Sequence, residues 1–495
     1  MKKIKLLSII LAGVLCINSC GDFGDINRDP NNPSTPDTRF LFTQACKQIR
    51  LFVMVGTYDP WNQLYPQYFS ERQNIQYSNF SMTDFSTVAY YRETLRNLNE
   101  IVKLNNDAAS KNEPYVLLMG SSNNQIAASR TLRAFIYMHL TDILGMIPYS
   151  EALLGDDGNF TPKYDTQEFI YTDLERDLNE AYALFNASES FNSTFDILYN
   201  GDIAKWKKLN ASIRMMMAIK LSDVAPNDGK TRFAKAYADG GMTNNSDWLS
   251  YKYLPETANE SPLYNNIVVT GRQDFAPSKT ILDKLKEYKD PRIAAYADPH
   301  PTGGYDGVPY GVLQADIVNY RNTATFDPQF FEQDAEYVLI SPSHILLIQA
   351  EASVRGWITA DAETLYKAGI QASFDKYGIV TANFVEFGLA NAAAYFAQTD
   401  VAFTGTDAQK ISKIAMQRWL ANFMQDGIEA WSDWRRLNVP TLVPGISASV
   451  THIPYRRYYY PDDYITNRPN YDAAIAAQGP DNFDTRVWWD VANNH

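Results

Sequence analysis

Cysteine is nearly absent. Three occur in 495 residues, and two of them, Cys16 and Cys20, stand close together near the N-terminus. Cys46 is left alone in the body of the chain, so no intramolecular disulfide is available there and burial has to hold the fold. Histidine is as scarce. The five residues His139, His300, His344, His452 and His495 are scattered, with no HExxH and no i, i+4 pair, so a zinc site has no sequence support. No Gly-x-Ser-x-Gly elbow occurs, and Cys46 lies in a helix-like run, so nucleophilic catalysis has no candidate. Positive charge is also short: 44 Lys and Arg face 57 Asp and Glu, for a net charge of −13. Phosphate binding needs a basic face, so nucleic acid is excluded as a partner. No apolar run reaches the roughly 20 residues that a membrane-crossing helix needs.

What is present begins with the leader. Lys2, Lys3 and Lys5 precede an apolar run from Leu6 to Ile17, a pattern of an export signal. Ile17 three residues before Cys20, and the small Ser19 directly before it, make "INSC" resemble a bacterial lipobox, with Asn18 a looser fit. Cys16 fails the same test because bulky Leu15 precedes it. Residues 1–19 therefore read as a lipoprotein signal peptide and Cys20 as the first mature residue, carrying acyl chains. Two or more chains hold a protein on a membrane stably where one does so marginally. Residues 20–37 follow as a lipidated tether, rich in Pro and Asn without apolar period. Asp25, Asn27, Asp29 and Asn31 alternate like the start of a calcium loop. Pro30 stands where such a loop needs Gly, and no Glu closes it, so turn chemistry is the better reading.

The mature length exceeds a single simple core, which calls for two subdomains or one elongated helical array. A hydrophobic content of 45% with 20% charged residues is that of a folded chain. Aromatics are in excess, with 32 Tyr, 25 Phe and 9 Trp. Phe in that number fits a core, and Tyr in that number fits broad, half-wet surfaces whose hydroxyls want partners.

Helical periodicity dominates the body. Ala128, Leu132, Phe135, His139 and Ile143 share one face at the 3.6 period. Ile170, Leu174, Leu178, Ala181 and Phe185 share another, opposite Asp173, Glu175, Arg176 and Glu180. A third helix starts after Asp202, its N-cap, and carries Met215 to Met217 as core filler. Two more lie in residues 341–378, closed by Gly356 and Gly378, with Ala350, Ala352, Ala368 and Ala372 spaced for close approach. That is the logic of tetratricopeptide repeats, without a clean recurrence of their roughly 34-residue signature. Residues 240–340 and 428–495 are different in texture, rich in Gly, Pro, Asn and Tyr, with one short helix at about 278–289. Long ordered loops on a helical scaffold are where recognition is usually placed.

Tests for chemistry find little. "APSKT" at 276–280 lacks the glycines of a phosphate loop, and Pro277 removes a backbone amide. A glycoside hydrolase needs two acids about 5 to 10 Å apart, and the abundance of acids leaves that reading open.

The segments "DINRDPNNP" at 25–33, "IPYSEAL", "PKYDTQEFIYTDL", "ILLIQAEASVRGW", "MQRWLANFMQDGIEAWSDWRRLNVP" and the C-terminal "IPYRRYYYPDDYITNRPNYDAAIAAQGPDNFDTRVWWD" resemble, in order, the blocks of the SusD/RagB family. The resemblance implies an all-α fold in which tetratricopeptide-like helix pairs support a loop-rich, irregular ligand-facing half. It implies one SusD-like domain over 38–495, with irregular insertions at about 240–340 and 428–495. It further implies a non-enzymatic, cofactor-free lipoprotein at the outer membrane of Bacteroidota. Such a protein caps a SusC-like TonB-dependent transporter and captures glycans, or in some members peptides, for uptake. Trp431, Trp434, Arg435, Arg436, Arg456, Arg457 and the Trp488-Trp489 pair belong to motifs shared across different ligands and read as scaffold.

The family motif carries over no binding residue, so the ligand site is sought in variable loops with flat rings and fixed donors and acceptors. "ERQNIQYSNF" at 71–80 offers Gln73, Asn74, Tyr77 and Asn79. "GRQD" offers Arg272, Gln273 and Asp274, with Tyr305 and Tyr310 nearby in sequence. Glycan capture, the same lid role with peptide ligands, and a surface glycoside hydrolase are the three functions in competition.

Overall fold

The computed structural model describes residues 36–52 and 60–491. The leader, Cys20 and most of the tether, including the Asp25–Asn31 alternation, lie outside the described residues.

Helices carry the fold. α1 (Thr38–Gln48) and α2 (Arg96–Asn106) pack together and lead to α3 (Ser122–Leu144), which pairs with α4 (Gln167–Leu184). α5 (Ile203–Lys220) pairs with α6 (Pro226–Asp239). After α7 (Lys279–Glu287), α8 (Pro342–Val354) pairs with α9 (Ala362–Lys376). α10 (Asp407–Ala421) lies against α8 and leads to α11 (Gly427–Leu437), and α12 (Arg468–Gln478) comes near the C-terminus. The architecture is all-α with stacked helix pairs. Its strands form short two-stranded ribbons, among them β1 (Phe69–Glu71) with β3 (Phe275–Pro277) and β2 (Leu249–Lys252) with β4 (Glu336–Ile340), both antiparallel. Buried apolar side chains form one connected cluster from Phe42 to Trp489.

Local signals explain most helix ends. Asp202 caps α5 by accepting from the amides of Ala204 and Lys205. Ser278 caps α7, so "APSKT" is a strand running into an N-cap. Gly356 and Gly378 follow α8 and α9 with φ of +69° and +62°, the left-handed conformation that favours glycine after a helix.

Four expectations need correction. α3 is buried nearly all round, not along one face, because α2, α4 and α5 enclose it. Glu175 on α4 is buried rather than solvated, its carboxylate 3.2 Å from Nε of the buried Arg214. The closest approach of α8 and α9 is made at Gly369, where a Cβ would lie 2.7 Å from Cγ of Leu347, while Ala368 and Ala372 are only half-buried. Residues 428–495 also contain two regular helices, α11 and α12.

Cys46 is buried in α1, where desolvation pushes its thiol well above the ordinary range. His344 on α8 is equally enclosed. Burial pulls it down to about 4, with Asp433 and Asp426 acting upward and Arg418 and Lys220 downward. The Asn422 amide lies 3.2 Å from its Nδ1, which accepts that hydrogen bond in the neutral ring. The unfolded chain takes a proton near pH 6.5 that the folded chain resists until about pH 4. This group's stability is therefore complete above pH 6.5 and lost as the pH falls. The loss should reach about 3 kcal/mol by pH 4. Urea midpoints at pH 7.5 and 4.5 should show it, and His344→Gln should shrink the difference. Parallel pH profiles for the two proteins would contradict a buried neutral ring.

Candidate functional site

The antiparallel pairing of β1 with β3 brings two distant loops together. Phe69 pairs with Pro277, Ser70 with Ala276 and Glu71 with Phe275. The amide of Arg72 then donates to the carbonyl of Asp274 at 2.6 Å, carrying the pairing one residue further. Loops 71–80 and 271–274 thus leave the ribbon side by side. A third segment, the 3₁₀ turn Gln314–Tyr320, closes over them. Gln314 donates to the carbonyl of Gln73 at 2.7 Å, and the Arg72 guanidinium donates to the carbonyl of Arg321.

Together the three segments enclose a cleft of about 580 Å³, within the range of small-molecule sites. Arg72, Gln73, Gly271, Gln273 and Gln314 supply its polar wall, with Arg321 at one end. Ala315, Ile317 and Val318 supply a narrow apolar strip. None of its lining residues is aromatic and none is acidic. The amides can donate to and accept from hydroxyls, and the guanidinium groups donate only.

A small recess of about 50 Å³ adjoins the loops, lined by Glu71, Asn74, Gln76, Tyr77, Arg272, Asp274 and Phe275. Glu71 accepts from the Ser78 hydroxyl at 2.5 Å and the Ser78 amide at 2.8 Å. Burial nevertheless raises its carboxyl above the usual range, because desolvation outweighs those bonds. Asp274 pairs with Arg272 at 2.5 Å. Glu71 thus holds loop 71–80 and one oxygen of Asp274 holds Arg272, while the other, Oδ1, is buried without a hydrogen bond. The recess has room for a few waters, not a sugar ring.

Of the residues expected at the site, Gln73 and Gln273 line the cleft, and Asn74, Tyr77, Arg272 and Asp274 line the recess. Asn79 lies in a turn, its side chain accepting from the Ser81 amide at 2.9 Å. Tyr305 is half-buried with its ring 6.1 Å from that of Phe387. Tyr310 is buried beside Phe80, so neither Tyr305 nor Tyr310 presents a ring to the cleft. Sequence reasoning missed Arg72, Gln314 and Arg321. Arg72 was legible as the neighbour of Gln73 in "ERQN", whereas the 3₁₀ turn carries no local motif.

A second groove, about 360 Å³, lies between Tyr91, Ile147, Pro148, Tyr164 and Tyr459. It is mainly apolar, and two of its hydroxyls are engaged: Tyr91 donates to the carbonyl of Pro148 and Tyr459 to that of Met146, each at 2.5 Å. The amide-lined cleft suits a polyol better.

The buried His139, Asp426 and Glu429 place ligand-type atoms within 4.8 Å of one another. The ammonium of Lys220 already sits there, 2.5 Å from Glu429 and 2.6 Å from Asp142. Asp142 and Glu429 raise this lysine above its ordinary range against the opposing effect of burial. The cluster therefore contains its own cation.

The scaffold residues are deep. Trp431, Trp434, Arg435, Arg436, Arg456, Arg457 and Trp489 are all buried, whereas Trp488, expected with them, is half-buried and lines a groove with Gln167 and Arg486. Among the described residues no helix is long and apolar enough to cross a membrane.

A family model for SusD-like proteins, described as starch-binding and associating with the outer membrane, matches residues 30–461. Among solved structures, a chitin-binding protein is 27% identical, with 92% of this chain and 100% of that chain covered at a TM-score of 0.74. A chitin-binding SusD homolog from Flavobacterium johnsoniae is 24% identical, with 92% and 99% covered at a TM-score of 0.76. A SusD homolog from Bacteroides fragilis NCTC 9343 gives the same identity, coverage and TM-score. At that identity the last two bear on the fold alone. No curated protein matches the chain.

Proposed function

This chain belongs to the SusD-like family, and from that premise we propose that it is a non-catalytic lipoprotein that captures glycans at the outer cell surface. Acyl chains on Cys20 hold it there, and it passes its ligand to a SusC-like TonB-dependent transporter. The observation that carries this reading is the cleft between loops 71–80, 271–274 and 314–321, lined by Gln73, Gln273 and Gln314. Side-chain amides pair both ways with a sugar's hydroxyls. Glycan binding by a 27% identical chitin-binding protein supports the ligand class. The cleft's lining holds no carboxylate, so the paired acids that a hydrolase needs are missing from it, which speaks against that reading.

Affinity electrophoresis against a polysaccharide panel tests the proposal. At least one glycan should retard the protein, with no new reducing ends after long incubation. The double variant Gln73→Ala/Gln273→Ala should weaken binding about tenfold, the loss of a few hydrogen bonds. Retardation by peptides alone, or release of sugar products, would overturn it.

A further inference from the structure

Most arginines described in this acidic chain touch a carboxylate, as Arg292 does Asp290 and Arg436 does Glu351. The two in the cleft do not. Arg72 is only 6% exposed, and its guanidinium makes one hydrogen bond, to the carbonyl of Arg321. Arg321 is exposed and, among the described residues, has no acidic partner. Glu71, next to Arg72, and Asp274, across the β1–β3 ribbon, line the adjoining recess and are held by Ser78 and Arg272. Asp316, on the same turn as Gln314, is exposed and outside the cleft lining. A nearly buried guanidinium without a counter-charge carries a desolvation cost that an incoming anion offsets. In a protein of net charge −13, the long-range field repels anions. Two unpaired arginines in one concavity therefore create a local exception.

Resting on the glycan-capture reading, we infer that the cleft selects an acidic glycan, with Arg72 and Arg321 receiving uronate carboxylates and the three glutamines the hydroxyls. The planar guanidinium fork matches a carboxylate in two parallel hydrogen bonds. The missing aromatic platform fits the same assignment. A neutral chain is gripped chiefly through its C–H faces against flat rings, and this cleft offers none.

Titration calorimetry on the full mature protein tests it. The probes are oligogalacturonate, an alginate oligomer, each of these after carboxyl reduction, sulfated dextran oligomers, and chitin and malto-oligosaccharides. Oligogalacturonate or an alginate oligomer should bind, and carboxyl reduction should weaken that binding at least about tenfold. Added salt should weaken binding of the acid form and spare any binding of the reduced one. Arg321→Ala should lose about tenfold on the acid, and Arg321→Lys should recover part of it. Arg321 is exposed, so these variants test the charge without disturbing the fold, which Arg72→Gln alone would not. Equal affinity for acid and reduced chains, with Gln73→Ala/Gln273→Ala weakening both, would overturn the inference and leave glycan capture standing. Binding of sulfated but not uronate chains would overturn the carboxylate assignment. Failure of every glycan would overturn both.

Discussion

Replacing Glu351 with alanine should cost about 3–5 kcal/mol of folding stability, read as a large fall in the urea midpoint of tryptophan fluorescence. Glu351 is completely buried on α8. Its carboxylate accepts from Arg436 at 2.5 and 2.8 Å, from Arg418 at 2.8 Å and from Arg355 at 2.8 Å. It thus ties α8 to α10 and α11. Burial alone would raise its carboxyl, but Arg436, Arg418 and Arg355 hold it well below the usual range. Removing it leaves Arg418 and Arg436 buried with Asp433 as their shared ion-pair partner and Asp223 acting on Arg436. Glu351→Gln preserves shape and removes charge, so it should recover only a small part. The pH dependence gives a second readout. A depressed folded value means that this stability is complete above about pH 4.5 and lost as the pH falls through the folded value. The variant's penalty should therefore be constant between pH 5 and 8 and shrink in stronger acid. A midpoint unchanged from the wild type would show that the arginine cluster is not held by this carboxylate.

Helix existence was legible where caps and periodicity agree. Asp202 and Ser278 start helices because their oxygens reach free amides, and Gly356 and Gly378 end them because they adopt positive φ. Long-range partners were less legible. Glu175 looks like a solvated acid in its own helix, and only Arg214, on the next helix, makes it interior. Gly369 gives no periodic signal, since what matters is Leu347 across the interface. The Asp290-Pro291-Arg292 turn shows both sides: its proline marks a turn locally, whereas partners of its arginine lie far away in sequence. The buried Arg292 bridges Asp290 in its own turn with Ser373 on α9 and Gln417 on α10.

The cleft was half legible for the same reason. Gln73 and Gln273 stand in polar, non-periodic loops, which marks them locally. Whether a tyrosine faces a ligand depends on what covers it, and Phe80 covers Tyr310. Arg321 belongs to the site only because the 3₁₀ turn folds back to place its carbonyl on Arg72 and Gln314 on the carbonyl of Gln73.

Trp431→Ala distinguishes a buried support from a sugar platform, and a loss of about 3–5 kcal/mol is expected. The indole is fully buried on α11 and donates to the carbonyl of Pro454 at 2.8 Å. Edge-on contacts at 5.3 and 5.8 Å join it to Tyr65 and Trp61, which precede β1. The guanidinium of Arg435 lies 3.7 Å from its ring centroid and 4.5 Å from that of Trp489, clamped between two indoles. Burial lowers this arginine only to about 10, so it stays charged at neutral pH and needs both rings and the carbonyls of Asp142 and Tyr455. Alanine removes one ring, opens a cavity and leaves the Pro454 carbonyl without its donor. Trp431→Phe keeps much of the packing and loses that hydrogen bond, so it should cost about 1–2 kcal/mol. Calorimetric melting should order the proteins wild type, then phenylalanine, then alanine. Glycan affinity of the phenylalanine variant, measured well below its melting point, should match the wild type, because no ligand reaches a fully buried ring. Lost affinity with unchanged melting would identify Trp431 as a contact surface and remove the basis for treating the Trp-Arg motif as scaffold.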